Sequence, residues 1–426
     1  MGKAMRAEGR GAMIPRSAIV LLLSAIYAVN YIDRQILAII LEHIKHEFQV
    51  SDTLLGLLVG PAFALFYATL GMPIALAADR MSRSRIIIAS LACFSAMTLA
   101  CGLVARFWQL VVARMLTGVG EAGTGPASQS IISDLYGPSE RATAQAIYAT
   151  GVNVGLMIAF FAGGWIADAY GWRAAFIAAG LPGLLLTLLA MAVLRDPPRP
   201  APAQSPSPAT VRLGFLWRQR SYRYIVLGTA MSAFSGYGIT AFVPAFLIRS
   251  HGMGSTEVGL IFALIVGLGG GLGTYASGRF ADIAARRGGI HRNLLAPAIA
   301  ALISIPFWVP FFLAGNVAVA IAAAVIPVSL SAAFIGPCIA TIQTITPPPM
   351  RARAAAIQLF VGNLIGLGLG PLVIGMLSDL LRPVFGADSL RYAMFAGVAA
   401  AVASIPFYLV AARHVPEDLE RLGRRD

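Results

Sequence analysis

The chain has 426 residues, of which 58% are hydrophobic and only 12% charged, with a mean hydropathy of +0.77. A soluble globular domain is about half apolar and about a quarter charged, so this composition excludes one and describes a multi-pass membrane protein. The net charge of +13 invites nucleic acid as a partner, but the basic residues gather beside apolar runs, as orientation signals do, and no nucleic acid is expected.

Apolar runs of roughly 20 residues cross the hydrocarbon core as helices. Twelve are predicted, at about 18–42, 53–77, 85–105, 108–134, 142–167, 173–194, 222–248, 256–280, 293–314, 317–345, 353–380 and 390–412. The expected fold class is therefore an all-α membrane protein of twelve transmembrane helices in two pseudo-symmetric six-helix bundles. Most Lys and Arg fall on one side of this pattern, which places both termini in the cytoplasm and the protein in the inner (plasma) membrane. Basic segments there also attract anionic membrane lipids. Cys93, Cys101 and Cys338 and the scattered histidines form no disulfide framework or metal spacing, and no cofactor is expected.

The first run follows Lys3, Arg6, Arg10 and Arg16 as a signal peptide would, yet it is too long for one and is expected to be retained. It carries NYIDRQ (30–35), with Asn30, Asp33 and Arg34 inside the span. An ionisable residue there is costly and marks a polar pathway or a partner. After the second run, ALAADRMSRSR (75–85) gathers Asp79, Arg80 and Arg83.

The fourth run holds RMLTGVGEAGTGPA from Arg114. Arg114 and Glu121 are seven positions apart, almost two turns, so they share a helix face with about 10.5 Å of rise between them. The same rise places Arg114 about 9 Å, Asp33 about 14 Å and Glu121 about 20 Å below the outer face. One linked cluster is predicted, in which Arg114 pairs with either carboxylate. Arg34, about 100° round the helix from Asp33, pairs locally or faces the transport path. The protonation of a carboxylate in low dielectric depends on whether a guanidinium stands beside it, so an arginine that changes partner couples proton binding to conformation. A static network tying two helices together is the plainer alternative.

Between Arg195 and Arg220 the chain is rich in Pro, Ala and Ser and then basic, a semi-rigid spacer. The expected organisation is a cytoplasmic tail at 1–17, a bundle at 18–194, a linker at 195–221, a second bundle at 222–412 and a cytoplasmic tail at 413–426. Features recur across the linker at a nearly constant offset. GPASQ (125–129) matches GPCIA (336–340), Asn153 matches Asn363, GWIAD ending at Asp168 matches GMLSD ending at Asp379, and Asp79 has a counterpart in Asp282. Two similar halves with a path between them are how many secondary transporters are built.

Over about residues 15–415 the chain resembles the major facilitator superfamily. The 75–85 loop is similar to that family's helix 2–3 signature, with Asp79 and Arg80 matching and Ala75 and Ser82 replacing the usual glycines. The copy GRFADIAARR (278–287) keeps Gly278 and Asp282 but has Ile283 in place of the arginine. The resemblance implies a cytoplasmic gate formed by Asp79, Arg80, Arg83, Asp282 and Arg141; the alternative is an orientation signal alone. Arg114 with GVGEAG, together with NYIDRQ, is similar to the Spinster subgroup of lipid transporters. This implies proton-linked switching at Asp33 and Glu121, with Arg114 at the polar centre.

The second half offers aromatic or neutral cavity positions: Phe234, Tyr237 and Phe242, then Phe334 and Gln343, then Gln358, Phe360 and Asn363. Opposite Asn30 and Arg34 they would make one wall apolar and the other polar. That suits an amphiphile better than a sugar, which needs hydrogen-bonding groups all round. Gly151/Gly155, Gly267/Gly271 and Gly366/Gly370 have the spacing for close helix packing, and Pro61, Pro126, Pro244, Pro337 and Pro371 are expected to kink their spans.

No phosphate-binding loop, nucleophile elbow or metalloprotease motif is present, so an enzyme is not expected. The expected function is a proton-coupled secondary active transporter moving a lysophospholipid or sphingoid-type amphiphile by alternating access, and the resemblance implies a monomer. Alternatives are a carrier of a small organic anion or drug-like compound, a non-transporting lipid-binding receptor, and a membrane-embedded enzyme using Asp33 and Glu121.

Overall fold

The computed structural model describes residues 15–197 and 214–423, which form helices joined by short turns. The first half contains α1 (Arg16–Phe48), α2 (Asp52–Val59), α3 (Pro61–Arg80), α4 (Arg83–Cys101), α5 (Phe107–Glu121), α6 (Thr124–Leu135), α7 (Pro138–Tyr170) and α8 (Trp172–Val193). The second contains α9 (Gly214–Arg218), α10 (Arg220–His251), α11 (Ser255–Leu264), α12 (Gly270–Gly288), α13 (Leu295–Leu313), α14 (Val317–Ser329), α15 (Ile335–Ile345), α16 (Arg351–Gly362), α17 (Gly370–Phe385), α18 (Ser389–Ala393) and α19 (Phe395–Gly423). Widened π-helical turns at Ile265–Gly269 and Asn363–Leu369 join α11 to α12 and α16 to α17. Hydrocarbon offers no water to backbone polar groups, so long apolar runs pair them internally as helices. The N-terminal basic residues Lys3, Arg6 and Arg10 and the proline-rich part of the linker lie outside the described residues.

Among the described residues, ten helical segments are long and apolar enough to cross a membrane. The two other expected spans, 108–134 and 317–345, are each divided: α5 yields to α6 at Ala122 and Gly123, and α14 to α15 across 330–334. Gly125-Pro126 and Gly336-Pro337 follow the breaks, with proline as the third residue of the restarted helix. The first four N–H groups of a helix lack intrahelical acceptors, so proline there forfeits nothing. Pro61 also lies in a first turn. Of the five prolines expected to kink spans, Pro244 stands inside a continuing α-helix and Pro371 directly follows the π-helical turn within a continuous helical span, whereas Pro61, Pro126 and Pro337 lie in the first turns of helices.

The buried apolar side chains fall into three groups. One joins the two halves at the end away from the chain termini, the far end, and includes Ile40, Leu58 and Phe160 from the first half with Phe246, Phe262 and Ile374 from the second. Towards the terminal end the halves have separate clusters, one around Val20, Phe94 and Ile131 and one around Tyr222, Ile342 and Tyr408. Association of helices in a bilayer rests on close fit and small residues. A Cβ at Gly151 would stand 2.3 Å from the Ser24 carbonyl oxygen and one at Gly155 2.4 Å from that of Ala28, so α7 and α1 touch backbone to backbone. Gly366 and Gly370 pack against α10, where a Cβ would stand 2.4 Å from Ala233 Cβ and 2.9 Å from the Phe234 carbonyl oxygen, whereas Gly271 faces open space.

Candidate functional site

Asp33 and Arg34 lie at mid-length on α1 and turn to different neighbours. Asp33 accepts a hydrogen bond from Arg114 Nη1 at 2.7 Å and one from Thr98 Oγ1 at 2.5 Å. Arg34 Nε donates to Glu121 Oε2 at 2.5 Å. The side chains of Asp33 and Arg114 are 1% and 2% exposed, that of Glu121 is 0% and that of Arg34 is 16%. The four charges lie close enough to act on one another, as the predicted linked cluster has it, and within it Arg114 pairs with Asp33 while Glu121 takes Arg34. The helical step of about 100° between neighbours is the reason: it turns Asp33 to α4 and to Arg114 on α5, and Arg34 to the rings of α3 and to Glu121 at the end of α5.

Glycines on α5 make this possible. A Cβ at Gly118 would lie 2.6 Å from the Phe63 carbonyl oxygen, and one at Gly120 2.7 Å from the Phe94 nitrogen, so α3 and α4 press against α5 between its two charges. The Phe63 ring centroid is consequently 5.0 Å from the guanidinium carbon of Arg34 and 5.2 Å from that of Arg114. Tyr67 at 4.3 Å and Tyr31 at 5.5 Å complete an aromatic surround for Arg34. Each cation–aromatic contact contributes about 0.5–2 kcal/mol, more as water is excluded. These rings were missed in sequence because nothing in an aromatic residue's spacing says which helix it will face.

Several polar atoms here are buried without hydrogen-bond partners: Glu121 Oε1, Arg114 Nε and Asn30 Nδ2. Asn30 Oδ1 accepts from Thr124 Oγ1 at 3.2 Å. Buried polar groups are nearly always paired, so these three atoms stand out among the described residues.

The second-half candidates divide. Tyr237 on α10 is within electrostatic reach of Arg34, Tyr31 and Tyr67, facing them across the halves. Phe234, partly buried, adjoins the Gly370 contact, and Asn363, also partly buried, begins the second π-helical turn. Phe334 instead lines a cavity of about 50 Å³ inside the second half with Ser232, Ser304 and Trp308. Gln358 is buried and donates to Thr229 Oγ1 at 3.2 Å, Gln343 is exposed, and Phe242 is fully buried in the core joining the halves. Periodicity cannot tell a cavity wall from a helix contact, since both are apolar helix faces.

At the terminal end, Arg83 is buried and bonds to Asp134 on α6 and to Ser130 Oγ at 2.9 Å. Its partner is thus Asp134, a residue not singled out in sequence. Arg141 donates to the Ser133 carbonyl at 2.9 Å, and Asp282 is exposed. The side chains of Asp79 and Arg80 lie outside those described. Burial pushes the Asp196 carboxyl up, but hydrogen bonds from Ser82 and Ser84 and the nearby Arg83 outweigh it and hold the group below the usual carboxylate range.

Near the end of α10 the second half carries a partly buried cation, Arg249, that was not singled out in sequence. Its Nε donates to Glu42 at 2.6 Å, and its two terminal nitrogens each donate to Asp52 at 2.9 Å. Lys45 Nζ adds a bond to Asp52 at 2.6 Å. Arg249 falls just past the predicted span, where a cation looks like an ordinary loop residue until the partner helix is in place.

A model of the Major Facilitator Superfamily matches residues 23–371. The chain is 32% identical over 404 residues to an MFS-type efflux pump of Mycolicibacterium smegmatis, covering 93% of each protein. It is 26% identical over 423 residues to a sphingosine-1-phosphate transporter of Xenopus tropicalis, covering 94% of this chain and 82% of that one. Its structure is similar to the crystal structure of a bacterial homolog to the human lysosomal transporter Spinster in an inward-facing, unoccupied conformation, with a TM-score of 0.84, 30% identity and coverage of 96% of this chain and 99% of that one. These are transporters, and the membrane-enzyme alternative falls away. The chain belongs to the major facilitator superfamily of membrane transporters and is related to Spinster.

Proposed function

We propose that the protein is a proton-coupled secondary active transporter that moves an amphiphile with an anionic head, of lysophospholipid or sphingoid type, by alternating access. The observation that carries this reading is the Arg34–Glu121 pair, in which a partly exposed cation is held by a fully buried carboxylate. A phosphate or carboxylate head and Glu121 are rivals for the same guanidinium, whose planar fork suits either. A proton on Glu121 removes one rival. Proton and anion then favour each other's binding, and by linkage the effect is reciprocal, which is the condition for symport.

Asp33 and Arg114 complete the proton-coupling set, since Asp33 is among the charges that act on Glu121 and Phe63 touches both cations. Asn30 and Arg34 form the head-binding side of the path. Tyr237, Phe234 and Asn363 form the side for the hydrocarbon tail. With both termini cytoplasmic, the far end is outside and the conformation is inward-facing, in keeping with the similar Spinster-related structure. Asp79, Arg80, Arg83, Asp282 and Arg141 form the cytoplasmic gate in this scheme.

A second reading, transport of a small organic anion or drug-like compound, is favoured by the efflux-pump relative. Flux of labelled lysophosphatidic acid, a neutral monoacylglycerol and a small aromatic carboxylate into proteoliposomes, with and without a pH gradient, separates these. Gradient-driven flux of the lysophosphatidic acid that is lost in Glu121→Gln supports the proposal. Flux of the small carboxylate alone selects the second reading, and binding without gradient-dependent flux identifies a lipid-binding receptor.

A further inference from the structure

The repeated segments GWIAD (164–168) and GMLSD (375–379) have a use beyond marking two similar halves. Each is a Gly-x-x-x-Asp element, so the glycine and aspartate lie one turn apart on one helix face. In the first, a Cβ on Gly164 would stand 2.3 Å from the carbonyl oxygen of Ser255, the first residue of α11. Asp168 accepts from the next residue, Thr256, through its N–H and its Oγ1, both at 2.7 Å. In the second, a Cβ on Gly375 would stand 2.2 Å from the carbonyl oxygen of Asp52, the first residue of α2. Asp379 accepts from the next residue, Thr53, through its N–H at 2.8 Å and its Oγ1 at 2.6 Å. The correspondence holds residue for residue: glycine against a carbonyl, aspartate on the following threonine.

Each element therefore binds the first turn of a helix from the opposite half. Those first turns expose N–H groups that a carboxylate satisfies, and the positive end of the helix dipole favours the negative charge. Aspartates at the terminal end do the same chemistry within one half: Asp196 accepts from Ser84 N and Oγ at 2.8 and 2.7 Å, and Asp418 from Ser221 N and Oγ at 3.0 and 2.6 Å. Of these four aspartates, Asp168 and Asp379 bond across the halves.

We propose that the two Gly-x-x-x-Asp elements are reciprocal staples that hold the far end shut and release together in the transport cycle. A rigid half cannot part from the other at one staple while the second stays bonded, because Glu42 and Arg249 tie the intervening helices α1 and α10. Glycine lets the backbones touch, and aspartate converts that touch into a bond that water can replace once the halves separate. The inference rests on movement between halves and not on the cargo or the coupling ion, so its test is independent of the proposed substrate.

Hydrogen exchange of the full-length protein in lipid nanodiscs, read by mass spectrometry, tests it. Asp379→Ala is expected to speed exchange about three- to tenfold in residues 52–59, where it removes a cap, and also in 255–264, where it touches nothing. Asp168→Ala should give the reciprocal pattern. Thr53→Val removes a single hydroxyl bond and should show the same two-site response at lower amplitude, which keeps the test open if the alanine variants fold poorly. Asp196→Ala should affect only the start of α4. Acceleration confined to the segment each aspartate caps, or no acceleration at all, would overturn the proposal.

Discussion

Asp33 and Arg34 are neighbours on α1 yet hold separate partners seven residues apart on α5, Arg114 at 2.7 Å and Glu121 at 2.5 Å. One helix thus carries an acid and a base that are each neutralised by the opposite charge on a second helix. The pairs differ in access, since Arg34 alone of the four is measurably exposed. In the proposed scheme that difference makes Arg34 the cation an anionic head can reach.

Asp33→Asn leaves Arg114 buried without its counter-ion. Breaking one side of a buried pair costs about 3 kcal/mol or more, so a marked fall in the thermal unfolding temperature in detergent is expected. Glu121→Gln should unfold closer to wild type, because Arg34 is partly exposed and remains surrounded by Tyr31, Phe63 and Tyr67. Equal destabilisation by the two variants would contradict this division.

Arg34→Ala removes the cation offered to an anionic head. A hydrogen bond to a charged group contributes about 1.5–3 kcal/mol, so affinity for a lysophosphatidic acid should weaken by roughly ten- to a hundredfold. Affinity for a neutral monoacylglycerol should be nearly unchanged. Calorimetry on both ligands reads the difference, and parallel losses would show that Arg34 shapes the protein instead of recognising charge.

Arg249→Met leaves Glu42 and Asp52 without the cation they share across the halves. The far end should open more often. Pulsed dipolar spectroscopy between spin labels at Leu103 and Val384, both exposed, should reveal a longer distance population than in the same labelled protein with Arg249 intact. An unchanged distribution would mean that apolar packing alone closes that end.

Asp196 has a folded value below its unfolded one, so its stabilising effect is fully present at neutral pH and is lost as pH falls through the folded value. The difference in unfolding temperature between the natural protein and Asp196→Ala should be largest near pH 7 and should shrink on acidification. A difference that stays constant to pH 3 would show that the side chain acts through packing and not through its charge.

The membrane class, the repeat and the central charges were all legible in the chain, for physical reasons. Hydropathy is summed over whole spans and tolerates local error, and a charge such as Glu121 in an apolar run stands out because it is costly there. The partner of each charge was not legible. Rise along one helix ranks depths, but the choice of Arg34 over Arg114 by Glu121 depends on helix rotation, which is fixed by contacts such as Gly118 against Phe63. Arg83 met Asp134, on another helix, for the same reason.

Asp168 and Asp379 were visible as copies of each other, and their order in the chain said that two similar halves exist. Only the tertiary structure decided that each copy caps the other half's helix, since a hydrogen bond between residues 88 positions apart, Asp168 and Thr256, depends on which helix ends meet. Composition and periodicity therefore determined the solvent the chain lives in and the architecture it repeats, because both follow from averages along the sequence. Pairing, the aromatic surround of Arg34 and the closed far end came from packing between helices, because rotation and close approach are set by three-dimensional contacts that no single segment contains.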